Sequence, residues 1–254
     1  MSGSKGLSDP ATSVTTTPSH AMHRPTFRPG LFRFSGQTLL GSLIFLLVAL
    51  PFLEDLRWGR LAGSALFSLM ILSALLAVGG RRGVLVAGLL VLTPALVFHW
   101  LYHLPFFGEG DPLPLISMAL AVGFTAFQLL RFILRARKVD SEVLCAAISV
   151  YLLAAMLWAE FYLLVDITVP ASFSITGSGS GPHVLSRFNA IYFSFATLTT
   201  SAFGDIVPAS RYAKSLASLE SVTGVLYIAV LISRLVSLYQ RSDADSGGRE
   251  KKEG

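Results

Sequence analysis

Thr197-Leu198-Thr199-Thr200-Ser201-Ala202-Phe203-Gly204-Asp205-Ile206-Val207-Pro208 is a polar, turn-rich string lying between two apolar segments. Ahead of it, Arg187 to Leu198 is moderately apolar, but at roughly 1.5 Å per residue it is too short to cross a hydrocarbon core of roughly 30 Å. This segment reads as a re-entrant half-helix. Ser186 is its expected N-cap, with Asn189 three positions on, so the helix starts near the outer surface and aims its carbonyl end at the membrane centre. The string after it is then non-helical backbone at membrane depth. In lipid its amides and carbonyls would go unsatisfied, so it must be buried in protein or line an aqueous path. A helix C-terminus pointing inward also places partial negative charge where a cation would shed its water.

The rest of the chain agrees with a membrane setting. Its 254 residues are 53% hydrophobic and only 14% charged, with a mean hydropathy of +0.64. Apolar runs long enough to cross a bilayer as helices occur at about 36–53, 61–78, 83–101, 113–134, 143–165 and 216–238. A Gly/Ser/Pro-rich turn is expected from Ser174 to Pro182, ahead of the half-helix. With both ends inside, fifteen of the twenty bases face the cytoplasm, and Arg57, Arg60, Arg187, Arg211 and Lys214 are left outside. That bias fits six crossings and termini on the cytoplasmic side of the cell (inner) membrane. The net charge of +5 is therefore topological, and no nucleic-acid partner is expected. The single cysteine, Cys145, excludes an intrachain disulfide framework and Cys-rich metal sites.

The string resembles the pore loop of the potassium-channel superfamily, in particular the small bacterial channels with a two-helix pore module. Their pattern is TLTT-x-G-[YF]-G-D, and here it reads TLTT-x-x-F-G-D. The resemblance covers roughly Val143 to Tyr239. It implies that Thr199, Thr200, Ser201, Ala202, Phe203 and Gly204 form the ion-binding selectivity filter, through backbone carbonyls and the Thr200 hydroxyl. It also implies a homotetramer, each chain giving one strand, with potassium or other monovalent cations as permeant ions. Asp205 is expected at the outer mouth with Tyr192 as its hydrogen-bond donor, and Gly224, twenty positions past Gly204, as an inner-helix hinge or a packing contact. The chain departs from the pattern at Ala202, where the family carries glycine because the strand needs left-handed backbone angles. Ser201 and Phe203 replace the commoner Val and Tyr. Weak selectivity, or no conduction, is the alternative these departures raise.

The expected fold is all-α: six transmembrane helices plus a re-entrant pore helix and filter loop. Residues 1–35 read as a disordered cytoplasmic tail, 36–134 as a four-helix transmembrane region, 135–142 as a cytoplasmic linker, 143–239 as the pore domain and 240–254 as a disordered tail. The fourth span carries only Arg131, and a voltage sensor needs several charges within the span, so the front helices are expected to brace the pore. The basic run Arg131 to Lys138 anchors the cytoplasmic side and suits anionic lipid headgroups. The fifteen residues after the last span are expected to be too few for a ligand-binding domain.

Glu160 and Glu220 lie inside spans, where an ionisable side chain is a functional candidate by default. They are read either as supports for the filter loop or as pH sensors. Glu220 and Gly224, four apart, share one helix face, which should look toward the pore helix or a neighbouring subunit. A proton-coupled transporter using Glu160, Asp166 and Glu220 is a further alternative, but only the second half of the chain is interrupted, whereas such carriers repeat the interruption in both halves. His99 and His103 have metal-pair spacing without a third ligand and read as an interfacial belt with Trp100 and Tyr102. No enzyme chemistry and no cofactor beyond permeant cations are expected.

Overall fold

The structure, a computed structural model, describes residues 35–54, 59–78, 82–101, 111–136, 140–176 and 185–253. Seven helices succeed one another: α1 (Ser35–Glu54), α2 (Gly59–Val78), α3 (Arg82–Leu101), α4 (Leu113–Arg135), α5 (Ser141–Thr168), α6 (Arg187–Leu198) and α7 (Arg211–Glu253). α4, α5 and α7 are each long and apolar enough to cross a membrane, over Leu113–Arg135, Ser141–Thr168 and Arg211–Ser237. Shorter apolar helices run over Gly36–Phe52, Gly63–Ser73 and Val86–Leu101. Pro51 and Pro94 lie inside α1 and α3, as apolar helices tolerate when neighbours satisfy the freed backbone groups.

Packing keeps to chain order. α1 lies on α2 and α5, α3 joins α2 to α4, α4 lies along α5, and α6 is held between α5 and α7. The buried face of α4, formed by Met118, Val122, Thr125, Leu129 and Ile133, repeats every three to four residues as one helical stripe must. α1 contributes Leu39, Leu43, Leu46 and Leu50 to the same core. α5 starts on Asp140, whose side chain accepts from the Val143 amide at 3.0 Å. Arg234 on α7 reaches the last carbonyls of α4. Its guanidinium donates to Ile133 O at 3.3 Å, Ala136 O at 3.3 Å and Leu134 O. A cation placed there satisfies carbonyls that have no helical partner and complements the helix dipole.

Two expectations are corrected. The first concerns the turn expected from Ser174 to Pro182. Its beginning belongs instead to a short strand, β1 (Phe173–Ile175), antiparallel to β2 (Ile206–Pro208), with Ser174 opposite Val207 and Ile175 opposite Ile206. Ile and Val favour the pleated geometry, and a partner strand far along the chain is invisible to a local reading. The second concerns the tail from Gln240 onward, expected as unstructured, which continues α7 through Glu253. No proline interrupts it. Nearly all of the expected N-terminal tail lies outside the described residues, as does His103.

Candidate functional site: a re-entrant helix and its left-handed strand

α6 has the bounds and the N-cap read from the sequence: the Ser186 hydroxyl accepts from the Asn189 amide at 3.1 Å. Its other end is closed by the string itself. The Thr200 amide donates to Thr197 O at 3.0 Å and the Ser201 amide to Ala196 O at 2.8 Å, which is the paired pattern of a Schellman cap. The left-handed residue that such a cap requires is Thr200, at φ 58°. A β-branched residue in that region is a true outlier, costing about 1–2 kcal/mol. Left-handed angles then recur at every second position, at Ala202 (φ 43°) and Gly204 (φ 82°). The Ala202 amide also turns back to Ala196 O, at 3.3 Å.

Side chains also serve the carbonyls at the end of α6. Ser221 on α7 donates to Thr197 O at 3.3 Å, Tyr151 on α5 to Leu198 O at 3.3 Å, and the Thr199 hydroxyl to Phe195 O at 2.7 Å. The hydroxyls of Thr199 and Ser201 lie 3.0 Å apart, within hydrogen-bond reach. Gly224 sits directly beneath. A Cβ there would lie 2.2 Å from Leu198 O, so only glycine lets α7 cross α6 this closely.

Beyond the string, the Tyr192 ring stacks on Phe203 with centroids 6.0 Å apart and planes 13° from parallel, and the pKa of its phenol is pushed up by the neighbouring Asp205. The Asp205 carbonyl accepts from the Thr176 amide at 2.8 Å, so the sheet of β1 and β2 holds the string at its outer end. Residues 199–205 are all exposed, Phe203 to 69%. α7 is likewise uncovered along an apolar surface that includes Leu219, Val222, Leu226 and Val230.

The intramembrane carboxylates separate in role. Glu160 is buried and forms an ion pair with Arg187 at the start of α6, and that guanidinium also lies 5.4 Å from the Phe67 ring centroid. Asp166 accepts from the Leu185 amide at 2.8 Å, just before the N-cap. Glu220 is fully buried and meets the Tyr162 hydroxyl from α5 and the Ser194 hydroxyl from α6. The face that Glu220 and Gly224 share looks toward α6. No local pattern in the sequence marks Tyr162, Ser194, Tyr151, Ser221 or Arg234, since a hydroxyl or guanidinium that serves a distant acceptor leaves none. Among the described residues no group of three or more His, Cys, Asp or Glu is placed to hold a metal ion.

Residues 143–241 match the model of a protein family described as an ion channel. The match runs from α5 through the string into α7, so it covers the part of the chain that carries the left-handed backbone and two of the three helices long and apolar enough to cross a membrane. No curated protein and no solved structure matches the chain.

Proposed function

We propose that four copies of this chain assemble around one axis into a passive channel for monovalent cations, potassium foremost, with Thr199 to Gly204 of each as the selectivity filter. The observation that carries this reading is the left-handed backbone at Thr200, Ala202 and Gly204. In an ordinary strand successive carbonyls alternate sides. Inverting the hand at every second residue gathers them on one side, opposite the amides of Thr200, Ser201 and Ala202 that are turned onto α6. Carbonyls so gathered replace a cation's hydration shell, which is what a filter has to do. The exposure of this strand and of α7 in the single chain supports a tetramer, because a string of polar backbone at membrane depth needs protein or water around it.

On this reading α5, α6 and α7 form the pore, α1 to α4 brace it as four further crossings, and both termini face the cytoplasm. Tyr192 and Asp205 hold the outer end, Glu160 and Arg187 fix the start of α6, and the basic stretch from Arg131 meets anionic headgroups. Ala202 favours a second reading, a weakly selective pore, since its Cβ opposes the conformation that glycine adopts freely. The test is reconstitution of the purified chain in liposomes under a potassium gradient. Fast, barium-blocked flux from a cross-linkable tetramer is expected; a strict monomer in native lipid with no flux refutes the proposal.

A further inference from the structure

A count of hydrogen-bonding protons at Glu220 does not close with an ionised carboxylate. Three contacts run in series: Tyr162 to Glu220, Glu220 to Ser194, and Ser194 to the Ala155 carbonyl at 2.6 Å. The two hydroxyls bring two protons, and a carbonyl brings none. Tyr162 serves one carboxyl oxygen. Ser194 is then left between two acceptors, the Ala155 carbonyl and the other carboxyl oxygen, with one proton to give. An oxygen–oxygen contact at hydrogen-bond distance without a proton between is repulsive, so the third proton belongs to Glu220.

We infer that Glu220 is a neutral carboxylic acid that donates to Ser194, and that this proton keeps α6, and with it the filter, tied to α5 and α7. The inference rests on the channel reading for its effect on ions. The surroundings agree with it. The titratable groups facing Glu220 are the phenols of Tyr162 and Tyr151 from α5; α6 presents the hydroxyl of Ser194. On α7 itself, Tyr227 one helical turn past Gly224 stacks on Tyr151 with centroids 5.7 Å apart and donates to Ala147 O at 2.6 Å. The one ion pair among the described residues joins Glu160 to Arg187, so Glu220 has no cation to sustain a charge. Complete burial also keeps a neighbouring subunit from reaching it. Loss of the proton would swing the Ser194 hydroxyl onto the carboxylate and release the Ala155 carbonyl. That breaks the α5–α6 tie one turn ahead of Thr197, where the filter signature begins. Glu220 is thus a positioning residue whose protonation state is read by the filter.

The test uses the full chain in lipid, with infrared difference spectra and potassium flux recorded from about pH 5 to about pH 9. A carboxylic acid carbonyl band is expected at neutral pH, absent from Glu220→Gln and fading as pH rises. Flux should fall with that band, tenfold in protonated fraction per unit beyond the midpoint. Glu220→Gln, whose amide can both donate to Ser194 and accept from Tyr162, should retain flux and lose the pH dependence. Tyr162→Phe removes a donor that favours the ionised form, so it should move band and flux together to higher pH. A band missing at neutral pH in the unmodified chain overturns the proton assignment, whatever the variants do. A band that titrates beneath a constant flux overturns the link to the filter. A titrating band with no flux at any pH sustains the assigned proton and counts against the channel instead.

Discussion

Replacing Gly224 with alanine tests whether the inner helix is held by contact or freed to bend. The added Cβ would stand 2.2 Å from the Leu198 carbonyl oxygen and 3.1 Å from its carbon, both backbone atoms that cannot rotate away. Ordinary contact needs about 3.5 Å, so α7 must retreat from α6 by roughly 1 Å. That retreat lengthens the Ser221 bond to Thr197 O and disturbs the seat of Glu220 one turn earlier on the same face. Overpacking of this kind costs about 1–3 kcal/mol per chain, which in the proposed tetramer sums to about 4–12 kcal/mol. The assay is thermal dissociation of the detergent-solubilised tetramer, paired with single-channel recording. A lower dissociation temperature with altered conductance is expected. If Gly224→Ala dissociates at the unmodified temperature while its open probability falls, the residue is a hinge and the packing contact does not hold the helix.

Further outcomes arise from the same contacts. Ala202→Gly relieves a left-handed alanine, about 1–2 kcal/mol per chain, and should shift bi-ionic reversal potentials toward potassium; unchanged potentials would place weak selectivity elsewhere. Arg187→Gln leaves the buried Glu160 carboxylate without its cation and should destabilise the chain by about 3–5 kcal/mol, while the double variant with Glu160→Gln recovers part of the loss in the same melting assay. Arg234→Gln strips donors from the end of α4 and should cost about 1–3 kcal/mol by thermal melting. Arg234→Lys should restore less than half of this, because a point charge does not span three carbonyls.

Much of the architecture is legible in the linear order. Hydrophobic runs place α1 to α5 within a few residues of their ends, because a bilayer-length helix needs nothing but continuous apolar composition. Ser186 and Asn189 locate the start of α6, since a cap is a local bond. The string from Thr199 to Asp205 announces itself as backbone that cannot meet lipid bare. The helical continuation of α7 past Gln240 escapes a reading by hydropathy, because that stretch has no apolar run to mark it.

Which segments are apolar, where the re-entrant helix begins and that its sequel is polar are all properties carried by neighbouring residues, so they are readable before any folding. That Glu160 meets Arg187 while Glu220 meets two hydroxyls, and that Gly224 lies against Leu198, is settled by helix packing. Each of these depends on which helix faces which, and a proton count around Glu220 exists only once Ser194, Tyr162 and Ala155 have been brought together from three places along two helices. The left-handed turn at Thr200 belongs to the same class: its residue type argues against that conformation, and the hydrogen bonds that close α6 impose it.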